Sequence, residues 1–171
     1  MIVVADSTII ILFAKIGKFS LLQSIFGEII IPQSVYNEIA IIGSGKAGAY
    51  ELKVSDWIKV MQIQNQEFAD ILLHKHRRLS LTDVEAIILS QEINADFLLT
   101  DDSKLRNVAE SILTKTRLMY TGAVLILAKY KGLIDSVRNL LDMMRESGLR
   151  IDSNTYNDIL LEAKEQNEDT V

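Results

Sequence analysis

The chain has 171 residues, 49% of them apolar, a length suited to one domain with a real core and room for a small appendage. It has no cysteine and two histidines, which excludes disulfides, thiolate zinc sites and cysteine catalysis and leaves little for a histidine-rich metal site. The net charge of −5 argues against a passive nucleic-acid coat, yet the charge is uneven. Nine basic and four acidic residues lie between Lys104 and Arg150, an excess of five positive charges, so the remainder carries ten net negative ones.

The opening residues 2–5, IVVA, read as a buried strand, followed by Asp6-Ser7 and a helix through IIILFAKIG. This start is apolar but lacks a basic lead segment and a cleavage site, so it does not read as a secretory signal, and the expected compartment is the cytoplasm. A short helix near Phe19–Phe26 sits between Gly17 and Gly27, and Glu28–Ile31 is a second strand. Pro32 suits the first turn of a helix that SVYNEIAII continues. The loop with Gly43, Gly45 and Gly48 lacks the Lys-Ser/Thr ending of a phosphate loop. Residues 57–63 form a weak strand, with Trp57 expected as packing, and 67–78 a helix. On that helix His74 and His76, two apart, should face different ways. Thr82 and Glu85 match a capping box at the start of the next helix. Phe97-Leu98-Leu99 is a buried strand, then a helix runs through 105–113, Arg117–Tyr120 is a last strand, and Thr121 caps a helix to Lys131.

Strands alternating with helices predict an α/β fold, a short central parallel sheet covered on both faces. Two more helical patterns, 134–147 and 153–165, predict a C-terminal helical hairpin. The expected division is 1–132 for the α/β domain, 133–166 for the hairpin packed on it or on a partner chain, and 167–171 for a frayed polar tail.

Ligands of open parallel sheets bind beyond the carboxyl ends of the strands. Asp6, Asp101 and Asp102 follow strands there, Asp83 and Glu85 open a helix, and Glu38 lies one turn beyond Pro32. Gathered carboxylates repel one another unless a cation neutralises them, and oxygen-only ligands select Mg²⁺ or Mn²⁺. Each acid also has a plain structural reading: Asp6 and one of Asp101 and Asp102 as helix caps, Glu85 as a box partner, Glu38 as a solvated residue.

These motifs, in this order, resemble the PIN-domain family. VVADST resembles its first metal-ligand motif, IPQSVYNEIA its second, and LTDVEAIILSQEINADFLLTDDSKLRNVA its central block, while YTGAVLILAKYKGLI looks like its last strand and helix. The C-terminal segment is similar to the helical extension of a PIN subgroup, and LLDMMRESGLRIDSNTYNDIL also looks like a single pentatricopeptide-type unit, too few to stand alone. The resemblance implies a three-layer α/β/α fold and a Mg²⁺- or Mn²⁺-dependent endoribonuclease. Asp6, Glu38, Glu85 and Asp102 would be the catalytic ligands, with Asp83 and Asp101 beside them as further metal ligands. Toxin-type members carry Asp where this chain has Glu85, so Asp83 is an alternative third ligand. Ser7, Thr100 and Thr121 would orient water or ligands, and Lys104 and Arg106 would contact RNA phosphates. The resemblance further implies the toxin of a toxin–antitoxin pair, held by a small antitoxin protein, forming a homodimer with no membrane association. The competing readings are a PIN-fold binding module without turnover, a DNA-directed nuclease, and a response-regulator-like phosphoacceptor, which would want a Lys where Tyr120-Thr121-Gly122 has none.

Overall fold

A computed structural model describes residues 1–165. The tail expected to fray, 167–171, lies outside the described residues. Five parallel strands, β1 (Val3–Ala5), β2 (Ile29–Pro32), β3 (Ile58–Met61), β4 (Phe97–Leu99) and β5 (Arg117–Met119), form one sheet in the order β3-β2-β1-β4-β5. The register sets Val4 against both Ile30 and Leu98, so β1 is the central strand. Short parallel strands buried on both faces explain the unbroken apolar runs in the sequence.

Alternate residues of each strand feed opposite cores. Val3, Ala5, Ile29, Ile31 and Leu99 join one cluster, whereas Val4 and Leu98 join the other. The first cluster is completed by α1 (Ser7–Lys15), α2 (Phe19–Phe26), α8 (Thr121–Tyr130), α9 (Val137–Glu146) and α10 (Ser153–Glu162). The second is completed by α5 (Gln66–Lys75), α6 (Leu81–Glu92) and α7 (Ser103–Ile112). The result is the three-layer α/β/α arrangement, with Trp57 buried against the Phe19 ring at 4.9 Å between centroids. Among the described residues no helix is long and apolar enough to cross a membrane.

Several local expectations are corrected. Pro32 closes β2 instead of opening a helix, its ψ of 155° being extended. The helix after it is one short α-helical piece, α3 (Gln33–Tyr36), continued by a π-helical turn over Asn37–Ile42 that carries Glu38. That turn ends with the Gly43 N–H donating to the Glu38 carbonyl at 2.8 Å. A Cβ on Gly43 would meet the Ile39 carbonyl oxygen at 2.7 Å, so the close return of the chain needs glycine. The sequence reading also passed over α4 (Ala49–Val54). The capping box of α6 is Ser80 with Asp83, not Thr82 with Glu85: the Ser80 N–H donates to Asp83 Oδ2 at 2.7 Å, and the Asp83 N–H to Ser80 Oγ at 3.2 Å. The cap falls two residues early because Leu81 and Thr82 already have helical geometry. Similarly Tyr120, not Thr121, precedes the first turn of α8.

The hairpin α9–α10 packs on α8 and α1. It comes close at Gly122, where an added Cβ would lie 2.5 Å from Ile159 Cδ1 and 2.6 Å from Tyr120 Cε2. Gly122→Ala is therefore expected to destabilise the protein by about 1–3 kcal/mol through overpacking. A urea midpoint equal to wild type would show that α10 shifts without cost.

Candidate functional site

The carboxyl ends of β1, β4 and β5 meet at one edge, and the acidic residues that follow the first two strands meet there as well. Asp6 caps α1 and is 1% exposed. Its Oδ1 accepts from the Thr8 N–H at 2.8 Å and the Thr8 hydroxyl at 2.5 Å, and its Oδ2 accepts from the Thr100 hydroxyl. Thr100 is itself buried after β4, and its Oγ1 accepts from the Asp102 N–H at 3.0 Å. Asp101 reaches across to the first residue of α8, accepting from the Thr121 N–H at 2.8 Å and the Thr121 hydroxyl at 2.5 Å. Asp102 caps α7, its Oδ1 accepting from the N–H groups of Lys104 at 2.6 Å and Leu105 at 3.1 Å.

Burial dominates the electrostatics. It drives the Asp6 carboxyl up to about 6 against the opposing hydrogen bonds of Thr100 and Thr8, and the nearby charge of Asp101 adds to the rise. Burial likewise raises Asp101, opposed by its two bonds from Thr121 and by the positive charge of Arg106. Asp6 and Asp101 are thus two buried carboxyls whose ionisation is resisted chiefly by desolvation, a mark of a site that receives a cation or a proton.

The other acids are placed differently. Glu85, on α6, accepts from the Ser34 N–H of α3 at 3.2 Å. It lines a cavity of about 310 Å³ with Gln33, Ser34 and Asn37. Glu38 lies one turn from Ser34, and both Glu38 Oε2 and Ser34 Oγ are buried with no hydrogen-bond partner among the described residues. Asp83 serves the α6 cap. The structure therefore links Asp6, Asp101 and Asp102 through Thr100, and separately Glu85 with Ser34. No hydrogen bond joins the two groups among the described residues, and no three acidic or histidine side chains there converge on a point that could hold a metal ion.

The supporting residues also differ from expectation. Thr8, not Ser7, holds Asp6; a hydroxyl two residues after an Asp cap was the available signal, since that position faces the cap. Arg106 is half-buried with its guanidinium 5.9 Å from the Tyr120 ring centroid, on the Asp101 side of α7, whereas Lys104 is exposed. A cavity of about 360 Å³ lies over Asp101 and Asp102, bounded by Thr8, Lys15, Leu149 and Arg150. Lys15 Nζ donates to the Ser147 carbonyl at 3.1 Å, which holds the turn between α9 and α10 against α1. The sequence offered no sign that Lys15 and Arg150 share this wall, because 135 residues separate them.

A comparison with curated proteins finds no match. The family model that matches is described as a PIN domain and spans residues 2–165, nearly the whole chain. With its parallel five-strand sheet and an acidic edge at the end of the central strand, the chain belongs to the PIN-domain family, whose members are in general nucleases that bind nucleic acid and typically use divalent metals.

Proposed function

We propose that this PIN domain is a Mg²⁺- or Mn²⁺-dependent endoribonuclease that hydrolyses RNA phosphodiester bonds. The observation that carries the reading is Asp6: a carboxyl buried at the end of the central strand, held by two threonines and near enough to Asp101 to feel its charge. The donors available are carboxylate oxygens, which suit a hard divalent ion, and the buried oxygen of Glu38, unpartnered among the described residues, is a further donor. Asp6, Asp101 and Asp102 would have to draw closer together than they stand here to hold the ion, with Glu38 and Glu85 contributing from the β2 side and Asp83 kept at its cap. When bound, such an ion lowers the pKa of water and neutralises charge on the phosphoryl group.

The chain's own residues do the rest. Thr8, Thr100 and Thr121 fix the carboxyl orientations. Arg106, Lys15 and Arg150 border the acids and would bind the phosphates on either side of the scissile bond. In the cell the same reading makes the protein a cytoplasmic toxin, a homodimer silenced by a small antitoxin.

The test is incubation of single-stranded RNA and DNA with Mn²⁺, Mg²⁺ or EDTA. RNA cleavage in Mn²⁺ is expected, abolished by EDTA and slowed about 100-fold or more in Asp101→Asn. Equal cleavage by that variant, or none by the wild type, overturns the proposal; preferential cutting of DNA moves the substrate. A second reading, a binding module without turnover, is favoured by the lack of three converging acids among the described residues. RNA bound but not cut in Mn²⁺ would establish it. Growth arrest on expression, relieved by Asp6→Asn, tests the toxin role.

A further inference from the structure

The connection between α5 and α6, together with the first turns of α7, lines a groove of about 510 Å³ with no acidic residue in its wall among the described residues. Its polar rim is His74, Lys75, His76, Arg77, Arg78 and Lys104. The two histidines were expected on different faces of one helix. Instead α5 ends at Lys75, His76 leaves the helix, and both histidines turn to the same groove.

Lys75, Arg77, Arg78 and Lys104 are exposed, and none forms an ion pair or a side-chain hydrogen bond with the protein among the described residues. The negative end of α5 accounts for a cation at Lys75. It does not account for Arg77 and Arg78, which lie beyond the helix. They occupy the middle of a turn closed by the Leu79 N–H donating to the His76 carbonyl at 2.9 Å, and Leu79 is buried. The turn therefore holds two guanidinium-bearing residues at a fixed place, adjacent to two more cations, with no acid in the groove wall among the described residues. Like charges so placed repel one another, and a chain of phosphates would remove that cost.

The groove also abuts the acidic edge. Lys104 is the second residue of α7, and its N–H donates to Asp102, while Arg106 on the same helix faces Asp101. We propose that this groove is a docking track for the backbone of single-stranded RNA, holding the segment that flanks the phosphate at the carboxylates. The proposal rests on the nuclease reading for the choice of RNA, and on the groove alone for the binding of a polyanion. Four permanent cations give it a salt-dependent affinity independent of base sequence.

The experiment measures fluorescence polarisation of a labelled 20-nucleotide single-stranded RNA in EDTA, between 25 and 200 mM KCl. It compares wild type, K75Q/R77Q/R78Q, and the control K18Q/K46Q/K53Q, which removes the same charge from exposed sites elsewhere. The groove variant is expected to bind about 10–100-fold more weakly, with the slope of log K against log salt smaller by about 2. The control should stay within about twofold of wild type, with all three melting alike because the replaced side chains are exposed. Equal losses in both variants, no RNA binding by wild type at 25 mM KCl, or displacement of RNA by an equal concentration of a polyglutamate 20-mer would overturn the proposal, the last by pointing to an acidic protein partner. Because binding is read in EDTA, groove-dependent binding without cleavage in Mn²⁺ would sink the nuclease reading and leave the track standing.

Discussion

Asp6→Asn is expected to abolish cleavage and at the same time to stabilise the metal-free protein at pH 8. The loss of activity should be on the order of 10²–10³-fold, the consequence of deleting one charged partner of a buried ion. The gain in stability follows from linkage. The Asp6 carboxyl titrates near 3.8 when unfolded and near 6 when folded, so the folded state holds its proton more tightly. Stability from this group is complete below pH 3.8 and is lost as pH rises through 6. At pH 8 the buried charge costs about 3 kcal/mol relative to the neutral acid. Asparagine escapes that cost but loses part of the hydrogen bonding to Thr8 and Thr100, so a net gain of about 1–2 kcal/mol is expected. Urea unfolding in EDTA at pH 8 and pH 4.5 checks it: the variant should be the more stable at pH 8, and its advantage should shrink at pH 4.5. A variant less stable than wild type at both pH values would show that Asp6 is a cap and nothing more. Adding Mn²⁺ should stabilise wild type by mass action and leave the variant little changed.

Glu165→Ala is expected to cost about 2–4 kcal/mol, a large loss for one side chain near the end of the described chain. The Glu165 carboxylate accepts from Lys129 Nζ at 2.7 Å, from the N–H groups of Val137 at 2.6 Å and Arg138 at 2.8 Å, and from the Ser136 hydroxyl at 3.1 Å. It thus ties the end of α10 to the end of α8 and the first turn of α9. Burial opposes its ionisation, but these bonds prevail and hold the carboxyl at about 2. Its stabilisation is present above pH 4.5 and fades as pH falls toward 2, the reverse of Asp6. Alanine leaves Lys129 without its carboxylate partner and two helix-start N–H groups unmet. Loosening the hairpin should also release the Ser147–Arg150 turn, so cleavage should fall along with the urea midpoint. A midpoint within about 0.5 kcal/mol of wild type would mean that water replaces the carboxylate without penalty.

Much of the architecture was legible because short buried parallel strands leave apolar runs that turn residues interrupt. Phe97–Leu99 was read to the residue, and β1, β2, β3 and β5 to within one or two. The errors cluster where a local rule met a competing one. Pro32 fits both the end of a strand and the start of a helix, and pairing with β3 decided for the strand. Ser80 and Thr82 are both acceptable caps, and the reciprocal bond to Asp83 chose Ser80. A π-helical segment as short as Asn37–Ile42 is too brief to show its wider side-chain period, so the turn that carries Glu38 was invisible until the Gly43 N–H reached the Glu38 carbonyl.

The charge pattern misled for a different reason. Summing charge along the chain placed Lys75, Arg77 and Arg78 in the acidic remainder, although they join Lys104 in one groove. The order of residues alone determined the fold class, the alternation of elements, and the arrival of Asp6, Asp101 and Asp102 at one sheet edge, because strand direction and periodicity are local properties. Only the tertiary structure decided that Thr8 and Thr100 grip Asp6, that Asp101 reaches across to Thr121, and that Lys15 and Arg150 share a wall. Those are contacts between segments whose approach depends on how the layers pack, and packing is settled by the whole core at once.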